Sequence, residues 1–211
     1  MSAADRDEAG PGRGDSEQHN DESKYVSRGG LKLEYALREF AIDARGLTCA
    51  DLGSNVGGFV DCLIQRGAER VYAVDTGYGT LAWTLRKNPR VVVMERTNAL
   101  HAEPVERVDL VTIDLGWTPQ RLALPAGRAW LRDGGSIVTL IKPHYETRAD
   151  EKGLLREGVL AEDAAARIAE RTIEEIGQMG FRVLGMCRSP ILGGKGRKGG
   201  NAEWLARVGV M

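Results

Sequence analysis

Cysteine is scarce in this 211-residue chain, and the three present, Cys49, Cys62 and Cys187, are odd in number and lack metal-ligand spacing. That excludes a disulfide framework and a thiolate zinc site; they read as reduced residues of predicted strand and helix interiors. Long apolar runs are missing too. None reaches the ~20 residues that cross a bilayer, and the N-terminus has no hydrophobic signal segment, so no membrane role and a cytoplasmic location are expected. Net charge is also absent, at -1 from 29 basic and 30 acidic residues. The balance hides an asymmetry. Residues 1–23 carry seven acids and two bases, which leaves residues 24–211 mildly basic at +4, as suits a nucleic-acid binder.

Residues 1–23 also hold no large apolar residue after Met1, so they cannot offset the entropy of ordering and are expected to form a disordered acidic tail. Residues 24–211 are long enough for one domain with its own core. From about Leu31 the apolar residues Leu33, Leu37, Phe40 and Ala41 fall on one helical face. Strands then alternate with helices. Strands are predicted at 47–52, 70–75, 90–94, 108–115, 136–142, 181–188 and 203–210, and helices at 59–66, 80–86, 119–131 and 160–179. This alternation predicts a doubly wound α/β sheet of seven strands, mostly parallel. The last two strands are joined by a short loop with no room for a crossover helix, so the final strand is expected to run antiparallel. Two irregular segments, 143–158 and 189–201, are candidate substrate loops.

The stretch ADLGSNVGGFVD, Ala50 to Asp61, organises the rest. An apolar strand carrying an acid breaks into glycines and restarts as a helix, whose unpaired N–H groups suit a polar ligand. A dinucleotide turn needs glycine where Asn55 stands, so that a pyrophosphate can approach the backbone. Asp75, at the end of the second strand, is placed to accept from a ribose diol. Together these features favour S-adenosylmethionine over NAD. Ligands of open α/β sheets bind at the carboxyl ends of strands, where Asp51, Asp75, Asp114 and Lys142 all fall. Charges there are costly unless paired or solvated in a cleft. Lys32 is a second oddity, because a cation in the first helical turn opposes the helix dipole; with Arg28 it is expected to face a polyanion.

The segments SRGGLKLE, DLGSNVGGF, AVDTGYGTLAW, ERTNAL, TIDLGW, LIKPHYE and SPILGGKG followed by NAEWL, in that order, resemble the FtsJ-like methyltransferases and within them the TlyA-like ribosomal RNA 2′-O-methyltransferases. The resemblance runs from about Tyr25 to the C-terminus. It implies a Rossmann-like methyltransferase domain over 24–211, S-adenosylmethionine as cofactor, no metal, and RNA, above all ribosomal RNA or ribosomal subunits, as partner. The family's Lys-Asp-Lys-Glu tetrad carries over to Lys32, Asp114, Lys142 and Glu203. Cofactor contacts carry over to Asp51, Gly53, Ser54, Asn55, Gly57, Gly58, Phe59, Asp75, Asn98 and Asp114. Lys142 would orient and deprotonate a ribose hydroxyl. Lys24, Arg28, Lys152, Lys195, Arg197 and Lys198 would hold phosphates, while Tyr25, Trp117 or Tyr145 could stack on a base. TlyA-like proteins usually carry a small basic S4 domain ahead of the catalytic one, where this sequence has its acidic stretch. A non-catalytic RNA-binding or haemolysin-like protein on the same fold, or a NAD-dependent enzyme, are the competing readings.

Overall fold

The computed structural model describes residues 24–194 and 200–210. The expected acidic tail and the expected phosphate contacts Lys195, Arg197 and Lys198 lie outside them. Seven strands form one sheet: β1 Thr48–Leu52, β2 Arg70–Val74, β3 Val91–Met94, β4 Val108–Ile113, β5 Leu131–Ile141, β6 Phe181–Arg188 and β7 Trp204–Val210. Their order across the sheet is β3-β2-β1-β4-β5-β7-β6. β7 pairs antiparallel with both β5 and β6, and the pairings of β1 with β2 and β4, of β2 with β3, and of β4 with β5 are parallel.

Successive residues of a strand point to opposite faces, and the two cores follow that rule residue by residue. Ala50, Tyr72, Val111, Ile137 and Ala206 face one side, where α4 (Gln120–Trp130) and α5 (Glu162–Gln178) cover them. Cys49, Val71, Leu110, Val138 and Leu205 face the other, under α1 (Gly29–Glu39), α2 (Gly58–Gln65) and α3 (Trp83–Arg86). Burial on both faces explains why these strands read as apolar runs and not as alternating ones. In α5 the residues Ala165, Ile168, Thr172 and Ile176, spaced by three and four, are the buried stripe.

Several boundaries differ from the sequence expectation, α3 among them, which begins at Trp83 and not at 80. β5 begins at Leu131, directly after α4, because an irregular register around Gly134 and Gly135 lets the chain rejoin β4 at Ser136. The segment 143–158, expected to be irregular, contains 3-10 turns at Pro143–Tyr145 and Ala149–Leu154.

Candidate active site

At the carboxyl ends of β1 and β4 lies a cavity of about 980 Å³. Its floor is the turn that leaves β1. Gly53 adopts φ +96°, and a side chain there would come within 2.6 Å of the Asp114 carbonyl oxygen, so only glycine lets the two strand ends run this close. Ser54, Asn55, Gly58 and Phe59 continue the wall into the start of α2, and Ser27, Arg28 and Lys32 of the α1 region face them. Leu192, Gly194 and Gly200 close a third side, and the Arg28 guanidinium donates to the Gly194 carbonyl oxygen at 2.7 Å, tying that loop to the start of α1.

Two ion pairs border the cavity. Lys32 Nζ lies 2.5 Å from Glu203 Oε2, with both side chains buried. Lys142 Nζ lies 2.5 Å from Asp114 Oδ1 and donates to the Leu115 carbonyl oxygen at 3.1 Å. Lys32 and Asp114 line the same cavity, so one member of each pair faces it. The antiparallel seating of β7 explains how Glu203 arrives: Ile141 pairs with Trp204, so Lys142, just after β5, and Glu203, just before β7, come side by side. Gly193 guards the carboxylate, since a Cβ there would fall 2.0 Å from Glu203 Oε1. Lys32 thus pairs with a carboxylate inside the fold while lining the cavity, where a substrate would lie.

The other sequence candidates divide. Asp51 lines the cavity floor and is otherwise fully buried; Oδ1 accepts from the Thr112 hydroxyl at 2.7 Å and Oδ2 has no partner. Burial pushes its pKa up to about 8, against the Thr112 hydrogen bond and with help from the nearby Asp114 and Asp75. Asp75 and Asn98 do not line the cavity. The Asp75 carboxylate instead accepts the backbone N–H groups of Asn55 at 2.8 Å and Gly77 at 2.7 Å, which fixes the glycine turn to the end of β2. A carboxylate has about four acceptor positions, so two remain for a ligand. Asn98 is exposed, and its Oδ1 accepts from Leu100 N within its own loop. Gly57, also off the wall, is left-handed at φ +105° and packs against Leu81 and Leu85.

Among the aromatics, Tyr25 is corrected from candidate stacker to core residue, at 6% exposure. Trp117 is the opposite case: it is 84% exposed, sits on a left-handed backbone at φ +51°, and has its ring 6.0 Å from that of Tyr145. Tyr145 in turn lies 5.9 Å from Lys142 Nζ. His144 beside them is held to a pKa of about 4 by burial and by Lys142. Of the expected phosphate ligands, Lys24 is paired with Glu34 at 2.6 Å and Lys152 is exposed.

Sequence reasoning missed Glu146. Its Oε1 accepts from the first N–H of α4, at Gln120, over 2.8 Å, while the Gln120 side chain bridges the Thr139 hydroxyl and the Leu140 carbonyl oxygen. The carboxylate therefore fastens the loop after β5, which bears Lys142 and Tyr145, to the loop after β4, which bears Asp114 and Trp117. Only its place four residues after Lys142 hinted at a role. Gly193 was missed as well, because its constraint comes from Glu203, ten residues away in sequence.

Comparison with known proteins bears on what this cavity serves. Residues 25–199 match the model of the FtsJ-like methyltransferase family. The chain is 39% identical over 190 residues to the 16S/23S rRNA (cytidine-2′-O)-methyltransferase TlyA of Mycobacterium tuberculosis, covering 87% of this chain and 68% of that one. With YqxC of Bacillus subtilis the identity is 42% over 192 residues, 88% of this chain and 66% of the relative. The chain therefore spans about two thirds of the length of these curated relatives. A solved structure from Lactococcus lactis described as a hemolysin superposes with a TM-score of 0.79 at 38% identity, covering 88% of each chain. The unpartnered, buried Asp51 oxygen and the glycine-walled cavity suit a ligand with a cationic group and a polar nucleoside body. On the family match, the fold and this pocket, the chain belongs to the FtsJ-like methyltransferases, which take their methyl group from S-adenosylmethionine.

Proposed function

We propose that residues 24–211 form a cytoplasmic methyltransferase acting on the ribose 2′-hydroxyl of ribosomal RNA, with Lys32, Asp114, Lys142 and Glu203 as its tetrad. The observation that supports this best is the pair of ion pairs sharing one cavity, each holding a lysine against a carboxylate at 2.5 Å. The names of the relatives support the substrate.

S-adenosylmethionine, when bound, supplies an electrophilic methyl on a sulfonium and departs as the neutral thioether. Asp51, Ser54, Asn55 and Phe59 would hold its amino acid and nucleoside parts, and the free acceptor positions of Asp75 would take its ribose diol. Lys142 spends two of its N–H bonds on Asp114 and Leu115, which leaves the third for the 2′-oxygen. That contact aims an oxygen lone pair along the line of displacement. As the new O–C bond forms, the oxygen becomes acidic and releases its proton to the Asp114 carboxylate, the member of the Lys142–Asp114 pair able to accept it. Lys32, held by Glu203, supplies positive potential where the oxygen gains negative character. Trp117, with Tyr145 behind it, offers an exposed ring for the target base.

The reading is tested by incubating the protein with methyl-labelled S-adenosylmethionine and either purified ribosomal subunits or naked ribosomal RNA, beside Lys142→Ala. Label is expected in RNA ribose with wild type alone, at least ~100-fold above the variant, the usual scale for removing an acid–base group. Label in base atoms or protein would overturn the assignment.

A further inference from the structure

At the opposite end of the sheet, the amino ends of β4, β5 and β6 and the end of β7 enclose a groove of about 950 Å³. Five arginines line it, Arg107, Arg128, Arg132, Arg182 and Arg207, with no lysine and with Asp133 as the single carboxylate in the lining. We propose that this groove is a second RNA-binding surface, one that grips backbone phosphates and anchors a folded RNA whose target nucleotide lies at the cavity on the other edge. It rests on the RNA reading above.

Four elements, α4, β5, β6 and β7, and the loop before β4 contribute these guanidinium groups, so no local sequence run produces the cluster. Their mutual repulsion is relieved inside the fold only in part. Arg132 pairs with Asp109, Arg107 donates to the Ala129 carbonyl oxygen, and Arg207 donates to the Phe40 carbonyl oxygen at 3.0 Å. These contacts fix the side chains while leaving most of their N–H groups unused, since each guanidinium carries five. Arg207 Nε is buried without a partner, and the side chains of Arg128 and Arg182 have neither ion pair nor hydrogen bond among the described residues. A net charge of -1 for the whole chain makes so local an excess a feature of this groove and not of the composition. Planar donors in a fork geometry match phosphate oxygens, and arginine without lysine is the composition that exploits this match.

Ser136 of β5 borders the groove, and Lys142, the residue that follows β5, borders the active site. Six residues of strand at ~3.3 Å each put the two about 20 Å apart. An isolated short hairpin bearing the target would reach only the active site, whereas a large folded RNA would reach both. Contacts of this kind position the RNA and do not read its sequence.

The test uses the full chain and the variant Arg128→Ala/Arg182→Ala, because neither side chain supports the fold through a contact. Binding to deproteinised 23S rRNA and to purified ribosomal subunits is measured across a salt series. Calorimetry with S-adenosylmethionine reports on the other site. The variant is expected to bind RNA about 10-fold more weakly, with the salt slope reduced by roughly 1.4 to 1.8 for two lost phosphate contacts, while cofactor affinity is unchanged. Arg128→Lys/Arg182→Lys should recover most of the slope. Unchanged RNA affinity and slope in the alanine variant would overturn the proposal, as would loss of binding to an acidic protein partner without loss for RNA. If wild type binds RNA through this pair and yet methylates none, the groove stands and the catalytic reading fails.

Discussion

Asp51 carries the sharpest consequence at the scale of single residues. Its carboxyl is fully buried with one oxygen unpartnered, and its pKa is raised to about 8. Between pH ~4 and ~8 the folded protein keeps a proton that the unfolded chain has released, so this group removes up to about 1.4 kcal/mol of stability per pH unit across that window. Its contribution is complete below the unfolded pKa and lost as pH rises through the folded one. Thermal unfolding of the ligand-free protein from pH 5 to pH 8 is therefore expected to show a decline that Asp51→Asn flattens. A decline of equal size in the variant would mean that another group carries it. The same oxygen suits a bound cation, so Asp51→Asn should also weaken S-adenosylmethionine binding, by roughly 10-fold for one charge-assisted hydrogen bond.

Among elements, the site depends on loops that leave neighbouring strands. Asp114 and Trp117 follow β4, and Lys142 and Tyr145 follow β5, and the two loops meet at Glu146, whose carboxylate caps α4. Burial, with Glu175 nearby and against the Gln120 hydrogen bond, lifts the Glu146 pKa to about 7. Glu146→Ala leaves the Gln120 N–H unsatisfied, at a cost of about 1–3 kcal/mol, or roughly 2–12 °C in Tm for a chain of this size. The loss of methyl transfer should exceed what that destabilisation implies, and Glu146→Gln, which keeps an acceptor, should retain most of the rate. Equal rates for wild type and Glu146→Ala at a temperature where both are folded would show that the clamp is purely structural. The elements themselves were legible, though not all their boundaries: apolar runs gave the strands and the three-and-four stripe gave α5. Glu146 was not, because a capping carboxylate supplied by another element leaves no mark beside the helix it caps.

For the whole molecule, the decisive contact joins the first helix to the last strand. Lys32 and Glu203 are 171 positions apart and both buried. Removing one partner of such a pair strands a charge in the interior, so Lys32→Met is expected to cost about 3–5 kcal/mol, while Lys32→Met/Glu203→Met should recover most of it and remain inactive. Chemical denaturation of both single variants and the double would check this; additive costs would mean the pair is not coupled.

Sequence alone determined the order of elements, the glycine turn after β1, the antiparallel final strand and the residue types at the strand ends, because each follows from local periodicity, turn chemistry or loop length. Tertiary structure decided that β7 lies between β5 and β6, which brings Glu203 beside Lys142 and onto Lys32. It also decided that Asp51 is buried in the cavity floor, that Tyr25 is core while Trp117 is exposed, and that five scattered arginines share one groove. Burial and charge pairing depend on which strands are neighbours, and that choice is made by packing both faces of the sheet at once.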